Sequence, residues 1–382
     1  TDAGLARMDH TQQKFVVFRH DPALPVSLSD NKVRSIYEDR RGQLWIGTYQ
    51  GGLNRFDRST GSFQRFRHDA DDPTSLSHNR VRSIYEDREG TLWVGTDNGL
   101  NEWRPRAGAF VRYGHDPVRP GSLSDNRVTV VFQDAGEILW VGTFNGANKW
   151  NYVSDAFHYL QVKAGELSRL SGNVITAIED SAGSVVWVGT YGGGINRVDL
   201  KTGNTDHFRH TPGDAGSLSD DRIMSLAVGP DNSVWIGTRN GGLNRLDPDS
   251  GEFTHYRRSP DEPDSLSSDS VSSLLSERGG RLWVGTYGAG LNHFDPDSGT
   301  FEVYRHDPND ATSLSSDRIM ALHRDRSGAL WVGTEDGGVN RFDEKTRSFT
   351  RFQHDPNAPS SLASNAVLNI AESKDGSLWI ST

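Results

Sequence analysis

Several kinds of side chain in this sequence could do chemistry, and nearly all of them recur at a fixed spacing. Acid pairs stand at Glu38–Asp39 and Glu86–Asp87, with Gln133–Asp134 and Glu372 at matching positions. Histidines sit in an F-R-H-D-P phrase and its variants at 20, 68, 115, 210, 306 and 354. Catalytic acid and base need unequal surroundings, and hence a singular pair. Acid pairs repeated before a Gly turn read instead as turn chemistry. A metal needs ligands gathered within roughly 2 Å of one point, whereas one histidine per repeat is spread out, so these are expected to hydrogen-bond turns or neighbouring repeats. The G-T-Y-G-G-G run from Gly189 has no following helix and no Lys-Ser/Thr ending. It is therefore not a phosphate loop, and its glycines serve tight strand connections. No Ser-His-Asp set stands apart from the repeat. These residues point to no catalytic group, no metal and no cofactor.

The cations break the pattern. Four residues after the Leu of an S-L-S element stand Lys32, Arg80, Arg127, Val174, Arg222, Ser270, Arg318 and Ala366. Two residues further on stand Arg34, Arg82, Thr129, Thr176, Met224, Ser272, Met320 and Leu368. A repeating scaffold does not require such differences. Lys32, Arg34, Arg80, Arg82 and Arg127 would form a one-sided cationic crescent if they reach the mouth of a central channel. Arginine forks take carboxylate or sulfate bidentately, so an acidic oligosaccharide or other small anion would suit them. Equally, each could pair with a loop acid such as Asp30 or Asp125 and serve only to hold the register. A further departure, from Tyr152, loses the F-R-H-D-P phrase and brings Tyr159, Lys163 and Glu166. It reads as drift in a tolerant loop.

The elements that position these residues follow from the period. Tryptophans of an [LV]-W-x-x-T core stand at 45, 93, 140, 187, 235, 283, 331 and 379, at intervals of 47 or 48. The S-L-S leucine lies 17 residues before each of them. Each unit holds four short runs rich in Ile, Val, Trp, Tyr and Phe, separated by Gly, Asp, Ser and Pro, as in KVRSIYED, QLWIGTY, LNRFD and SFQRFRH. Four strands per ~40–50 residues, repeated, describe a β-propeller blade. The tryptophans then belong between blades rather than to a sugar-stacking array, and Trp103 and Trp150 read as core too. The last unit stops at SLWIST, and the N-terminal AGLARMDHTQQKFVVFRHDP supplies its missing half. Joined end to start, Leu5 follows Trp379 by eight residues, as Leu53 follows Trp45. The expectation is an all-β, eight-bladed propeller in one domain, 1–382, of four-stranded antiparallel blades, closed by N-terminal strands completing the last blade. The alternative is seven blades plus one extra unit.

The copies of L-W-[IV]-G-T-x-x-G-G-[LIV]-N-R-[FLV]-D, as at Leu44–Asp57 and Leu330–Asp343, resemble the two-component regulator propeller repeat. Every unit carries the motif in some form. Ser381 replaces its glycine in the last, and two units (DNGLNEW and FNGANKW) lack one Gly. The resemblance implies the periplasmic sensor region of a bacterial membrane-bound receptor, often one that senses a saccharide. It also implies a tyrosine-rich β-sandwich, a membrane helix, and a histidine kinase or diguanylate cyclase downstream. Members often carry two successive seven-bladed propellers, so eight blades would be a departure.

Composition bounds the rest. A net charge of −10 argues against nucleic acid or an anionic membrane as the main partner. With no cysteine there is no disulfide frame, thiolate metal site or Cys nucleophile. No run of 18 apolar residues occurs and TDAGLARMD is no signal peptide, so anything that exports or anchors this segment lies outside it. The leading expectation is a non-enzymatic ligand-sensing module whose ligand biases the arrangement of two receptor chains. A propeller-fold polysaccharide lyase or hydrolase is the alternative. A quinone-cofactor dehydrogenase is more distant, since the Trp-docking motif of those proteins is not found.

Overall fold

The computed structural model describes residues 3–9, 14–119, 121–134, 137–151, 156–160, 170–181, 184–202 and 204–382. Each repeat unit forms one four-stranded antiparallel sheet, eight in all, and the fold is an all-β, eight-bladed β-propeller. The seven-plus-one alternative falls, because no unit is left over. Blade 1 has strands Val33–Glu38, Leu44–Thr48, Leu53–Asp57 and Ser62–Phe66. Blades 2 to 7 repeat that order over 81–113, 128–160, 175–208, 223–256, 271–304 and 319–352. Blade 8 joins Asn369–Glu372 and Leu378–Ser381 to Leu5–Asp9 and Lys14–Phe18. By packing the chain divides into two compact units, Thr1–Val131 with His323–Thr382, and Phe132–Leu322.

In the first unit the two ends of the chain share one sheet, as the spacing predicts. Leu5 pairs with Ser381, Ala6 with Ile380 and Arg7 with Trp379, and Gly4 and Thr382 exchange backbone hydrogen bonds of 3.1 Å each way. The pairing removes two open strand edges. The second strand, L-W-[IV]-G-T, is buried at every residue in blades 1 and 2, because neighbouring sheets cover both faces. Trp379 packs among Val33, Ile36, Phe56 and Phe63 of blade 1, and Trp45 among Val81, Trp103 and Phe110 of blade 2. These indoles are core, not sugar platforms. The motif glycine has a packing reason: a Cβ on Gly47 would stand 2.4 Å from Val81 Cγ1 of the next blade.

The second unit uses the same contacts. Trp187 packs with Ile223 and Leu226, and Trp235 with Val271 and Phe294. A Cβ on Gly237 would stand 2.6 Å from Val271 Cγ1. Lys163 and Glu166 lie outside the described residues, as does part of the loop that carries them.

The long connectors are tied down by the repeated polar residues. Leu28, Leu76 and Leu218 of the S-L-S elements are fully buried. The Nδ1 of each repeated histidine meets the carbonyl of that leucine, at 2.8 Å for His20, His68, His210 and His306. The third-strand Asn54 accepts from the Ser29 N–H at 2.9 Å and donates to Ser29 Oγ at 2.7 Å. The histidines therefore do the turn work expected of them.

Candidate anion-binding site

The repeated acids are consumed by the fold. Asp39 Oδ1 accepts from the N–H groups of Arg41 (3.0 Å) and Gln43 (2.9 Å), and Oδ2 accepts from Trp45 Nε1 at 2.9 Å. The same indole bond joins Trp93 to Asp87, Trp140 to Asp134 and Trp331 to Asp325, at 2.7–2.8 Å. The acid before it does something the sequence does not reveal. Glu86 accepts the backbone N–H of Arg40 in the preceding blade at 2.7 Å, and Glu372 that of Arg326 at 2.9 Å. Glu38 accepts that of Lys374 across the chain ends. These glutamates are staples between blades as well as turn residues.

All five crescent cations lie in the first unit, and an irregularity of the strands aims two of them, Arg34 and Arg82. In blade 1 the first-strand pairing steps from Val33 to Ser35, leaving Arg34 as the extra residue of a β-bulge. Blade 2 skips Arg82 in the same way, between Val81 and Ser83. A bulge bends the strand and re-aims its extra side chain. In the second unit Thr176, Met224 and Ser272 hold the corresponding place, and Met224 is 37% exposed.

Three of the cations converge on one ring. Arg80, Arg34 and Lys32 stand 4.0, 4.9 and 5.8 Å from the centroid of Tyr49, within cation–π range. Arg80 also donates to Asp97 Oδ2 at 2.7 Å, and Arg82 to Oδ1 of the same carboxylate. Burial works against the charge of Asp97, but Arg82 and Arg80 outweigh it and hold the carboxyl below its ordinary range. His78 Nδ1 accepts the Arg80 N–H at 2.9 Å. Burial lowers its pKa against the pull of Asp97.

The partners of the crescent cations differ from residue to residue. Arg127 sits on Asp125, at 3.3 Å, as a register pair. Asp30 takes the backbone N–H groups of Lys32 (3.1 Å) and Gln50 (2.8 Å). Arg80 and Arg82 share Asp97, which sequence reasoning missed together with Tyr49 and His78. Arg34 is exposed, and among the described residues it has no carboxylate partner. The signal for Tyr49 and Asp97 lies in the residue after each G-T. It reads Tyr49, Asp97, Phe144, Tyr191, Arg239, Tyr287 and Glu335, variable inside an otherwise constant motif. The result is a cluster of Arg34, Arg80 and Arg82 beside an aromatic ring, with Asp97 as the one carboxylate that Arg80 and Arg82 share.

The chain is similar in fold to several solved structures. The designed protein Ika8 shares 16% identity over 91% of this chain and 95% of its own, with a TM-score of 0.61. PorZ of Porphyromonas gingivalis shares 17% identity over 90% of this chain and 49% of its own, with a TM-score of 0.57. The extracellular domain of BT4673 from B. thetaiotaomicron shares 21% identity, with a TM-score of 0.46, and covers the whole chain. This chain spans 56% of that domain's length. No curated protein matches the sequence. The family model described as "Two component regulator propeller" matches residues 27–50, 75–98, 217–240, 265–288, 313–336 and 361–382. Six of the eight repeat units in this chain are thus repeats of the two component regulator propeller family.

Proposed function

We propose that the chain is a ligand-sensing propeller, the extracytoplasmic and periplasmic portion of a bacterial signalling receptor. In this reading residues 1–382 act as one domain, and an acidic oligosaccharide or other small organic anion binds Lys32, Arg34, Arg80, Arg82 and Arg127. Arg34 carries the proposal. It is an exposed guanidinium presented by a bulge and laid on Tyr49, with no acid of its own among the described residues. The family repeats support the signalling role, with downstream receptor domains and a second receptor chain as partners.

The module is proposed to bind rather than to cleave, since the acids that recur through it are hydrogen-bonded to its own backbone and indoles. Isothermal titration against sulfated, uronate-bearing and neutral oligosaccharides tests this. Saturable binding of an acidic sugar, weakened by Arg34→Gln, is expected. No binding of any of them by the folded chain removes the saccharide reading. Cleavage of any glycan overturns the binding-only role.

A further inference from the structure

A second arginine-lined site stands at the opposite end of blade 1, separated from the crescent by the second strand, about 15–20 Å. A crevice of about 820 Å³ opens there between the turns of blades 1 and 2, large enough for a small-molecule ligand. It is lined by three arginines and three acids, Arg41, Arg55, Arg58, Asp39, Asp57 and Glu86. The acids are already engaged. Asp39 holds the turn and Trp45, Asp57 Oδ1 accepts from the N–H and hydroxyl of Ser59, and Glu86 takes the Arg40 N–H. Arg58 is engaged too, on Glu38 at 2.6 Å and Asp375 at 2.5 Å. Arg41 and Arg55 have no acceptor for their guanidinium groups among the described residues.

Blade 5 shows what this place looks like when it is neutral. Arg41 lies four residues before Trp45 and Arg55 ten after it; Asp231 and Arg245 hold the same offsets from Trp235. Asp231 and Arg245 form an ion pair of 2.7 Å in a crevice of about 470 Å³. The other basic residues ten after a motif tryptophan are also occupied. Arg197 is on Asp206 and His293 on Glu277, while Arg7 and Arg341 lie over Trp379 and Trp331. Blade 1 therefore sets two cations where blade 5 sets a cation and an anion, and leaves the larger cavity open over them.

We propose that this crevice binds a small organic oxyanion, through carboxylate or phosphate groups held between Arg41 and Arg55. Two guanidinium forks favour a ligand with two acidic groups, or one group bridged by both. Asp39, fixed beneath by Trp45, keeps the Arg41 turn in place without competing for the ligand.

The test is titration of the ¹⁵N-labelled 382-residue chain with succinate, phthalate and inorganic phosphate, following the indole N–H resonance of Trp45. Saturable movement of that resonance is expected, and comparison of the dicarboxylates with phosphate says which oxyanion the site prefers. Arg55→Gln should weaken binding about tenfold or more, the loss of a charge-assisted hydrogen bond. Arg41→Asp copies blade 5 and should abolish binding while the melting temperature stays level or rises. Oligosaccharide titration of that same variant reads the crescent separately. No saturable shift with any of the three anions, or undiminished binding by a well-folded Arg41→Asp chain, would overturn the proposal.

Discussion

The two ends of the second strand, compared in blades 1 and 2, use carboxylates in opposite ways. At the turn end, Asp39 and Asp87 sit in equal surroundings. Their oxygens are taken by Trp45 and Trp93 Nε1 and by the turn's own N–H groups. At the other end the matching residues differ, Tyr49 in blade 1 and Asp97 in blade 2. There one unrepeated carboxylate is shared by two guanidiniums, and one aromatic ring carries three cations. A repeated acid in a propeller is structural because symmetry gives every copy the same partners. An unrepeated one has had to find partners of its own, and it shapes the local charge.

The largest effect that would break this contrast lies at the turn end. Asp39→Ala strips the acceptor from Trp45 Nε1 and from two backbone N–H groups, in a place where Trp45 is only 2% exposed. Leaving buried donors unmade costs about 1–3 kcal/mol each, so a total of about 3 kcal/mol is expected by urea denaturation. Tyr49→Ala should cost about 1 kcal/mol or less, the worth of exposed cation–π contacts. Equal losses from the two variants would erase the distinction between scaffold and site. Next in size is Arg34→Gln, expected to weaken acidic-oligosaccharide binding about tenfold without moving the melting temperature. A parallel fall for neutral sugars would show that Arg34 supports the shape of the site rather than its charge.

Asp97→Asn sharpens the contrast from the other side. It frees Arg80 and Arg82 for a ligand anion, so binding should tighten a few-fold, about 1 kcal/mol or less for pairs that keep some contact with solvent. Its stability effect has a definite sign. The folded-state pKa of Asp97 is lowered, so the stabilisation is present above the ordinary carboxylate range and is lost as pH falls through the lowered value. Asp97→Asn should therefore be less sensitive to acid than the parent chain. Weaker binding by this variant would mean that Asp97 orients the two arginines for the ligand instead of competing with it.

The blades were legible in the sequence because tryptophan and leucine recur at nearly constant spacing, and each needs the same burial in every unit. The joining of the termini was legible for the same reason: Leu5 and Trp379 keep the interval of Leu53 and Trp45. The bulges at Arg34 and Arg82 were not. They arise from the offset between two strands, which no single strand records. Nor could the glutamate staples be read, since Glu86 bonds the backbone of a residue 46 positions away, and a backbone donor has no sequence signature. Asp97 was overlooked because it fills a variable position of the motif, where Tyr49, Tyr191 and Tyr287 stand in other units. Asp125, two residues before Arg127, was within reach of local reasoning, and the two side chains lie 3.3 Å apart.

A pH dependence of the opposite sign to that of Asp97 belongs to Glu179, in the second unit. Glu179 stands eight residues before Trp187, the place held by Tyr37 and Tyr85 before their own tryptophans. Burial, with the adjacent Asp180 adding to it, pushes its carboxyl up to about 7 from an ordinary 4.5. A raised acid binds its proton more tightly in the folded state, so its stabilising share is full below the ordinary value and is lost as pH rises through about 7. Glu179→Gln copies the protonated form and should flatten that part of the melting-temperature profile between the ordinary 4.5 and about 7, leaving the low-pH stability unchanged. An unaltered slope in this variant would mean that the side chain reaches water and ionises freely. The tyrosine-like position would then have been filled at no cost in charge.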